Sequence, residues 1–166
     1  SGGGVVREPS GSPSRSPHRP RMPNFDYIGP YTYHLTFVTH YRQRRFEIAS
    51  AAELCIELIT RAARERHFDI LAYAVMPDHV HTVVRGSADD SELLGFAKLF
   101  KQLTGYHLKT SNESTLWQQS YHDRLLYTED EVSEAVEYVL NNPLTDGLAQ
   151  TRGEYRWVGG SYAEHG

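Results

Sequence analysis

The sequence predicts an α+β fold of the ferredoxin-like kind. This is a split β-α-β, RRM-like antiparallel sheet with two packed helices, followed by a further helix. Three observations predict it. Segments rich in β-branched and aromatic residues alternate with segments of helical apolar period, in the order β-α-β-β-α-β-α. Two strand segments are separated only by Pro77-Asp78, which suits a hairpin. Capping-box patterns, S/T-x-x-E, stand ahead of two of the helical stretches.

Taken in order, residues 1–24 are rich in Ser, Gly, Pro and Arg and carry too little apolar surface to offset the entropy of ordering. They read as a flexible tail, with Met22 a candidate native start. Residues 25–166 read as one domain. "YTYHLTFVTH", Tyr31 to His40, is the first strand, and "RQRR", 42–45, a basic turn. Ser50 and Glu53 form a capping box ahead of Leu54, Cys55, Leu58 and Ala62, predicting a helix to about His67. "DILAYAVM", 69–76, and "HVHTVVRG", 79–86, are the hairpin strands. Asp89, Asp90 and Ser91 open the next helix, with Leu93, Phe96, Leu99, Phe100 and Leu103 on its apolar face. Lys98, Lys101 and Lys109 fall on the opposite face, a stripe that suits either solvent or phosphate. "YHDRLLYT", 121–128, is the fourth strand. Thr128 and Glu131 cap a helix that Pro143 is expected to stop. Residues 144–166 read as irregular.

Composition narrows the function. With 39% hydrophobic residues and no apolar run of membrane length, the chain reads as a globular protein of the cytoplasmic kind. Cys55 is the only cysteine, which excludes an internal disulfide or a thiolate metal cluster. The net charge is −4: residues 1–26 carry +2 and residues 27–166 carry −6. Bulk attraction therefore does not draw nucleic acid to the body of the protein, and any such contact must be local.

The residues with most chemistry are His79 and His81, beside Asp78. Residues two apart in a strand share a face, so two imidazoles there can hold one divalent cation or a phosphate. The same spacing also occurs in ordinary packing. On the last helix, Val132, Ala135, Val136, Val139 and Leu140 form the buried stripe. Tyr138 lies about 120° from its centre, at 100° per residue. Asn142 follows one turn later and neighbours it. An aromatic held off the core stripe either packs its edge on the sheet or presents its phenol as a nucleophile.

Four segments, in order, resemble the single-tyrosine HUH transposases, and within them the REP-associated tyrosine transposase branch. These are "FDYIGPYTYHLTFVTHYRQRRF", "MPDHVHTVV", "WQQSYHDRLL" and "VEYVLNNPLTDGL"; the closing "YRWVGGSY" is an imperfect match to the family's ending. The resemblance spans residues 27–162. It implies that His79 and His81 ligate Mg²⁺ or Mn²⁺, with Asn142 as third ligand and His122 or Asp123 in competition for that place. It implies that Tyr138 attacks a phosphodiester of single-stranded or hairpin DNA, leaving a 5′-phosphotyrosine and a free 3′-OH. A cytoplasmic, nucleoid-associated bacterial protein is implied, as a monomer or homodimer. The cations available to DNA are the tail arginines, Arg42, Arg44, Arg45, Lys98, Lys101 and Arg124. Tyr106, Trp117 and Tyr121 are candidate stacking aromatics.

Two other classes share parts of this pattern. A two-histidine phosphoesterase needs two H-x-[ST] strands; His34-Leu35-Thr36 supplies one, but Val80 stands where the second needs histidine. A non-catalytic RRM-like module binding single-stranded nucleic acid needs aromatics on the central strands, where the third strand offers histidines and valines.

Overall fold

A computed structural model of the chain describes residues 25–109 and 115–163. The expectations for the tail, 1–24, lie outside these residues. The sequence order resolves into β1 (Thr32–Val38), α1 (Ala49–Arg66), β2 (Phe68–Met76), β3 (His79–Gly86), α2 (Leu93–His107), β4 (His122–Leu126), α3 (Glu129–Leu140), a single-turn α4 (Asn142–Thr145) and a short β5 (Val158–Gly159). The strands form one antiparallel sheet in the order β4-β1-β3-β2-β5. The first four strands and α1 and α2 are the ferredoxin-like arrangement that the sequence predicts.

Strand alternation sorts the sheet into two faces. Tyr33, Leu35 and Phe37 of β1, Val80 and Val84 of β3 and Val75 of β2 meet Ala52, Cys55 and Ile59 of α1 and Phe96 and Phe100 of α2 in one core. Ala72, Ala74 and Met76 of β2 and Val83 of β3 meet Val132, Ala135, Val136, Val139 and Leu140 of α3 in a second. The predicted apolar stripes of α2 and α3 are thus the ones that pack. Two helices cover one face, and the tyrosine helix covers part of the other. The sheet face that an RRM leaves open for bases is therefore partly occupied by an apolar helix.

Four local expectations need correction. Ser50 does not cap α1: the helix starts two residues earlier than that cap implies, with Ile48 as N-cap and no side-chain cap bond. A 3₁₀ turn at Arg45–Glu47, with Phe46 buried, brings the chain in early, and Glu53 faces Arg156 instead, at 3.7 Å. Ser91 lies before α2, whose N-cap is Glu92; its buried hydroxyl donates to the His67 carbonyl at 2.5 Å and accepts from Ala88 N. The tyrosine helix does end at the expected Asn-Asn-Pro, with Asn141 as its C-cap, but Pro143 does not stop the helical path. The chain breaks at Asn141 and Pro143 sits in the first turn of α4, where no N–H is required of it. The stretch 144–166 is not wholly irregular: β5 pairs Gly159 with Tyr73 and Val158 with Ala74 on the β2 edge. The predicted Thr128 cap is present, its hydroxyl accepting from Glu131 N at 3.1 Å, while the Glu131 carboxylate accepts from Tyr127 N.

Candidate functional site

The site lies on the sheet face that carries α3. In β3, His79 and His81 alternate with Val80, which points into the opposite core. In β1, His34 and Thr36 alternate with Leu35 and Phe37 in the same way. The register sets Thr36 opposite His81 and His34 opposite Val83, so these polar side chains meet on one face. Val132, Val136 and Val139 then lay α3 across β2 and β3, which swings Tyr138 over the histidines.

The resulting distances are short. The His79 and His81 rings are 4.9 Å apart, centroid to centroid, and perpendicular. The Tyr138 ring stands 5.4 Å from His81 and 5.8 Å from His34. His79 Nε2 lies 3.4 Å from Asn142 Oδ1. Both histidines are at least nine-tenths buried, and Asn142 is 4% exposed. The off-stripe position of Tyr138 packs it against the second core and sets its ring over the imidazoles.

Hydrogen bonds orient both imidazoles. His79 Nδ1 is 2.7 Å from the Asp78 carboxylate, which in turn receives Arg42 Nε at 3.2 Å. Burial alone would raise the Asp78 carboxyl. The His79 hydrogen bond and charge, with the Arg42 guanidinium, outweigh that and hold it below the ordinary carboxylate range. In the neutral imidazole, an Nδ1–H donated to Asp78 leaves His79 Nε2 with its lone pair, facing an amide oxygen that is also an acceptor; in the charged imidazolium, Nε2–H would donate to that oxygen. His81 Nδ1 lies 3.1 Å from His34 Nε2 and 3.0 Å from Thr36 Oγ1. With the proton on that Nδ1, His81 Nε2 also carries a lone pair. This donor set of two imidazole nitrogens and one amide oxygen, with a carboxylate behind one histidine, suits a divalent cation with positions left open. Among the described residues, no group of three or more His, Cys, Asp or Glu side chains is arranged to hold a metal.

The competitors for the third position separate by face. His122 pairs with Thr36 and shares the site's face, on the next strand out. Asp123 pairs with Leu35 and so points into the opposite core, away from both histidines.

The candidate DNA-binding cations also divide. Arg42 reaches Asp78, and Arg124 lies beside His34 in the β1–β4 register; both are at the site. Arg44 pairs with Glu47 at 2.6 Å on the surface. Arg45 donates to the Leu108 carbonyl. Lys98 and Lys101 are on α2, in the layer across the sheet. Lys101 is not a solvated stripe residue: its ammonium donates to the Gln118 and Gln119 carbonyls, and burial lowers its pKa. Trp117 and Tyr121 are core residues, 5% and 2% exposed, with Trp117 Nε1 donating to Thr104. Tyr106 is exposed.

Two site residues had no place in the sequence-based site, His34 and Thr36. The signal was present, since "HLTF" alternates polar and apolar in a strand beside the H-x-H strand.

Residues 28–142 match the family model described as Transposase IS200 like. A structure of a REP-associated tyrosine transposase bound to a REP hairpin superposes with a TM-score of 0.70 at 18% identity, over 87% of this chain and 82% of that one. The crystal structure of a candidate transposase from Deinococcus radiodurans R1 superposes with a TM-score of 0.52 at 22% identity, over 73% of this chain and 97% of that one. At these identities the two structures speak for the fold. No curated protein matches the chain.

Proposed function

Since the chain belongs to the IS200-like transposase family, we propose that it is a metal-dependent endonuclease and strand transferase for single-stranded DNA, with Tyr138 as nucleophile. The observation that carries this reading is the Tyr138 ring 5.4 Å from His81, on the face where His79 Nε2 meets Asn142 Oδ1. His79, His81 and Asn142 would hold Mg²⁺ or Mn²⁺. Bound there, the cation would withdraw charge from a scissile phosphate and orient it for in-line displacement.

The chain's own residues supply the rest. Tyr138 Oη forms a bond to phosphorus as the bond from phosphorus to the 3′ oxygen breaks. The phenolic proton passes to base, and the departing oxygen is protonated to a 3′-OH. A 5′-phosphotyrosine remains. Because the ester bond is retained on the protein, a second 3′-OH can reverse the step and rejoin strands without ATP. Asp78 keeps His79 turned toward the site, and His34 and Thr36 do the same for His81. Arg42 and Arg124 are the cations nearest the phosphate. Tyr138 and the histidines lie together within one chain, which supports a monomer as the active form. The substrate proposed is hairpin-forming repeat DNA with single-stranded flanks. The structural relative bound to a REP hairpin supports that choice.

A covalent trap tests the reading. Wild-type protein with Mn²⁺ and labelled hairpin DNA should give an adduct that survives boiling in detergent. Tyr138→Phe should bind the same DNA and give none. An adduct on the Phe variant, or none on wild type with any single-stranded or hairpin DNA, would overturn it.

A further inference from the structure

Tyr41 and Arg42, directly after β1, both hold left-handed backbone, at φ 56° and 53°. Neither is glycine, asparagine or aspartate, the residues that tolerate this region. The turn is pinned on both sides. Thr39 N and Thr39 Oγ1 both donate to the Asp78 carbonyl, at 3.0 and 3.1 Å, and His40 N donates to the Leu116 carbonyl at 2.8 Å. It stands at the edge of the site, because Val38 pairs with His79.

For Arg42 the strained backbone has a visible result: its Nε reaches the carboxylate that orients His79. For Tyr41 it has none among the described residues. The residue is 83% exposed, and among the described residues its ring meets the His40 ring, at 4.2 Å. Folding therefore gains almost no burial from an aromatic held in unfavourable backbone. Strain of this kind persists where surroundings impose it, and it gathers at ligand sites. The ring is flat and exposed, and it is next in sequence to Arg42, which reaches the carboxylate that orients His79, in a body whose net charge repels DNA.

We propose that Tyr41 is a stacking platform for a nucleobase flanking the scissile phosphate, an inference that rests on the single-strand cleavage reading above. Every base has a π-face, so the platform fixes the strand's path past His79 without choosing its sequence. Arg42 serves the same strand from the exposed side of its guanidinium.

The probe is a DNA hairpin with randomised single-stranded flanks. Wild type is allowed to form its covalent adduct, and sequencing of the trapped ends gives the cleaved phosphate. The selected DNA is then remade with 2-aminopurine at each nearby position and titrated into Tyr138→Phe protein, which holds DNA uncut. One position should be quenched on binding. Adding Tyr41→Ala should remove that quenching and weaken binding about tenfold, while Tyr41→Trp should keep both. Tyr41→Asn, which tolerates left-handed backbone, should weaken binding equally with a melting temperature no lower than wild type. Unchanged affinity and quenching in Tyr41→Ala would overturn the platform while leaving the nuclease reading intact. So would a Tyr41→Asn protein whose stability falls with its binding, since that marks a structural role. Absence of any wild-type adduct would overturn the nuclease reading itself, and the platform with it.

Discussion

His79 and Asn142, 63 residues apart in sequence, place an imidazole nitrogen and an amide oxygen 3.4 Å from each other. Both atoms present lone pairs when His79 is neutral and its other nitrogen donates to Asp78. A cation relieves that opposition better than either neighbour can. Asn142→Ala should weaken Mn²⁺ binding about tenfold or more, and Asn142→Asp should tighten it by adding charge. Mn²⁺ paramagnetic resonance of the DNA-free protein reads both. Equal affinity in wild type and the Ala variant would remove Asn142 from the ligand set.

His34 acts one step further back. Its Nε2 meets His81 Nδ1 at 3.1 Å, and it is buried against the Tyr138 ring. His34→Phe keeps the shape and removes the nitrogen. Thr36 Oγ1 still reaches His81 Nδ1, so orientation is loosened and not lost. Metal affinity should fall about 10-fold, at the lower end of what outer partners contribute. Combining it with Thr36→Val should deepen the loss beyond the product of the single effects, because the two share one ring nitrogen. Strictly multiplicative losses in a calorimetric titration would show that they act separately.

Much of this site was legible because its parts follow short-range periodicities. His79 and His81 share a face by strand alternation. Tyr138 stands out as the aromatic off the α3 stripe, and Asn142 follows one turn on. What failed were features decided by tertiary contact. Ser50 matched a capping box, but the buried Phe46 turn started the helix earlier. Trp117 lies in a segment without clear period and Tyr121 at the very start of the predicted fourth strand, and the fold shows that both fill the core. β5 is two residues long, too short to leave a pattern, and exists because β2 offers it an edge. His34 was visible as a polar residue in an alternating strand, but its meaning depends on β1 and β3 being neighbours.

Tyr155 ties the segment after α4 to the sheet, its hydroxyl donating to the Val75 carbonyl at 2.8 Å. Burial pushes its phenol up to about 12, against the opposing charge of Arg44. The folded value lies above the ordinary value of 10.0, so the unfolded chain loses this proton first. The contribution is therefore fully present below about pH 10 and disappears as pH rises toward 12. Tyr33 and Tyr73 are shifted in the same direction by burial and add to the alkaline decline. Tyr155→Phe should lower the melting temperature at pH 8 and show a shallower fall between pH 10 and 12. A parallel alkaline branch in scanning calorimetry would mean that this hydroxyl is not among the groups responsible.

Gly160 and Gly105 should respond to alanine with opposite signs. Gly160 holds φ +118°, and a Cβ there would stand 2.5 Å from the Leu71 carbonyl oxygen and 2.6 Å from Ala72 Cα, both backbone atoms of β2. Nothing flexible can give way, so Gly160→Ala must pull the chain off the sheet edge or strain it, costing about 2 kcal/mol or more. That is a fall of roughly 4–8 °C in melting temperature for a chain of this size. The same segment carries Arg152, which donates to Glu137 and Asn141 on either side of Tyr138, so the damage reaches the tyrosine helix. Covalent adduct yield should therefore drop along with stability. Gly105 sits inside α2 with nothing within 4 Å of the added methyl. There alanine only removes backbone freedom from the unfolded chain, and Gly105→Ala should stabilise by about 0.5–1 kcal/mol with adduct yield unchanged. Equal melting temperatures for the two variants would show that β5 contributes nothing to holding α3 over the histidines.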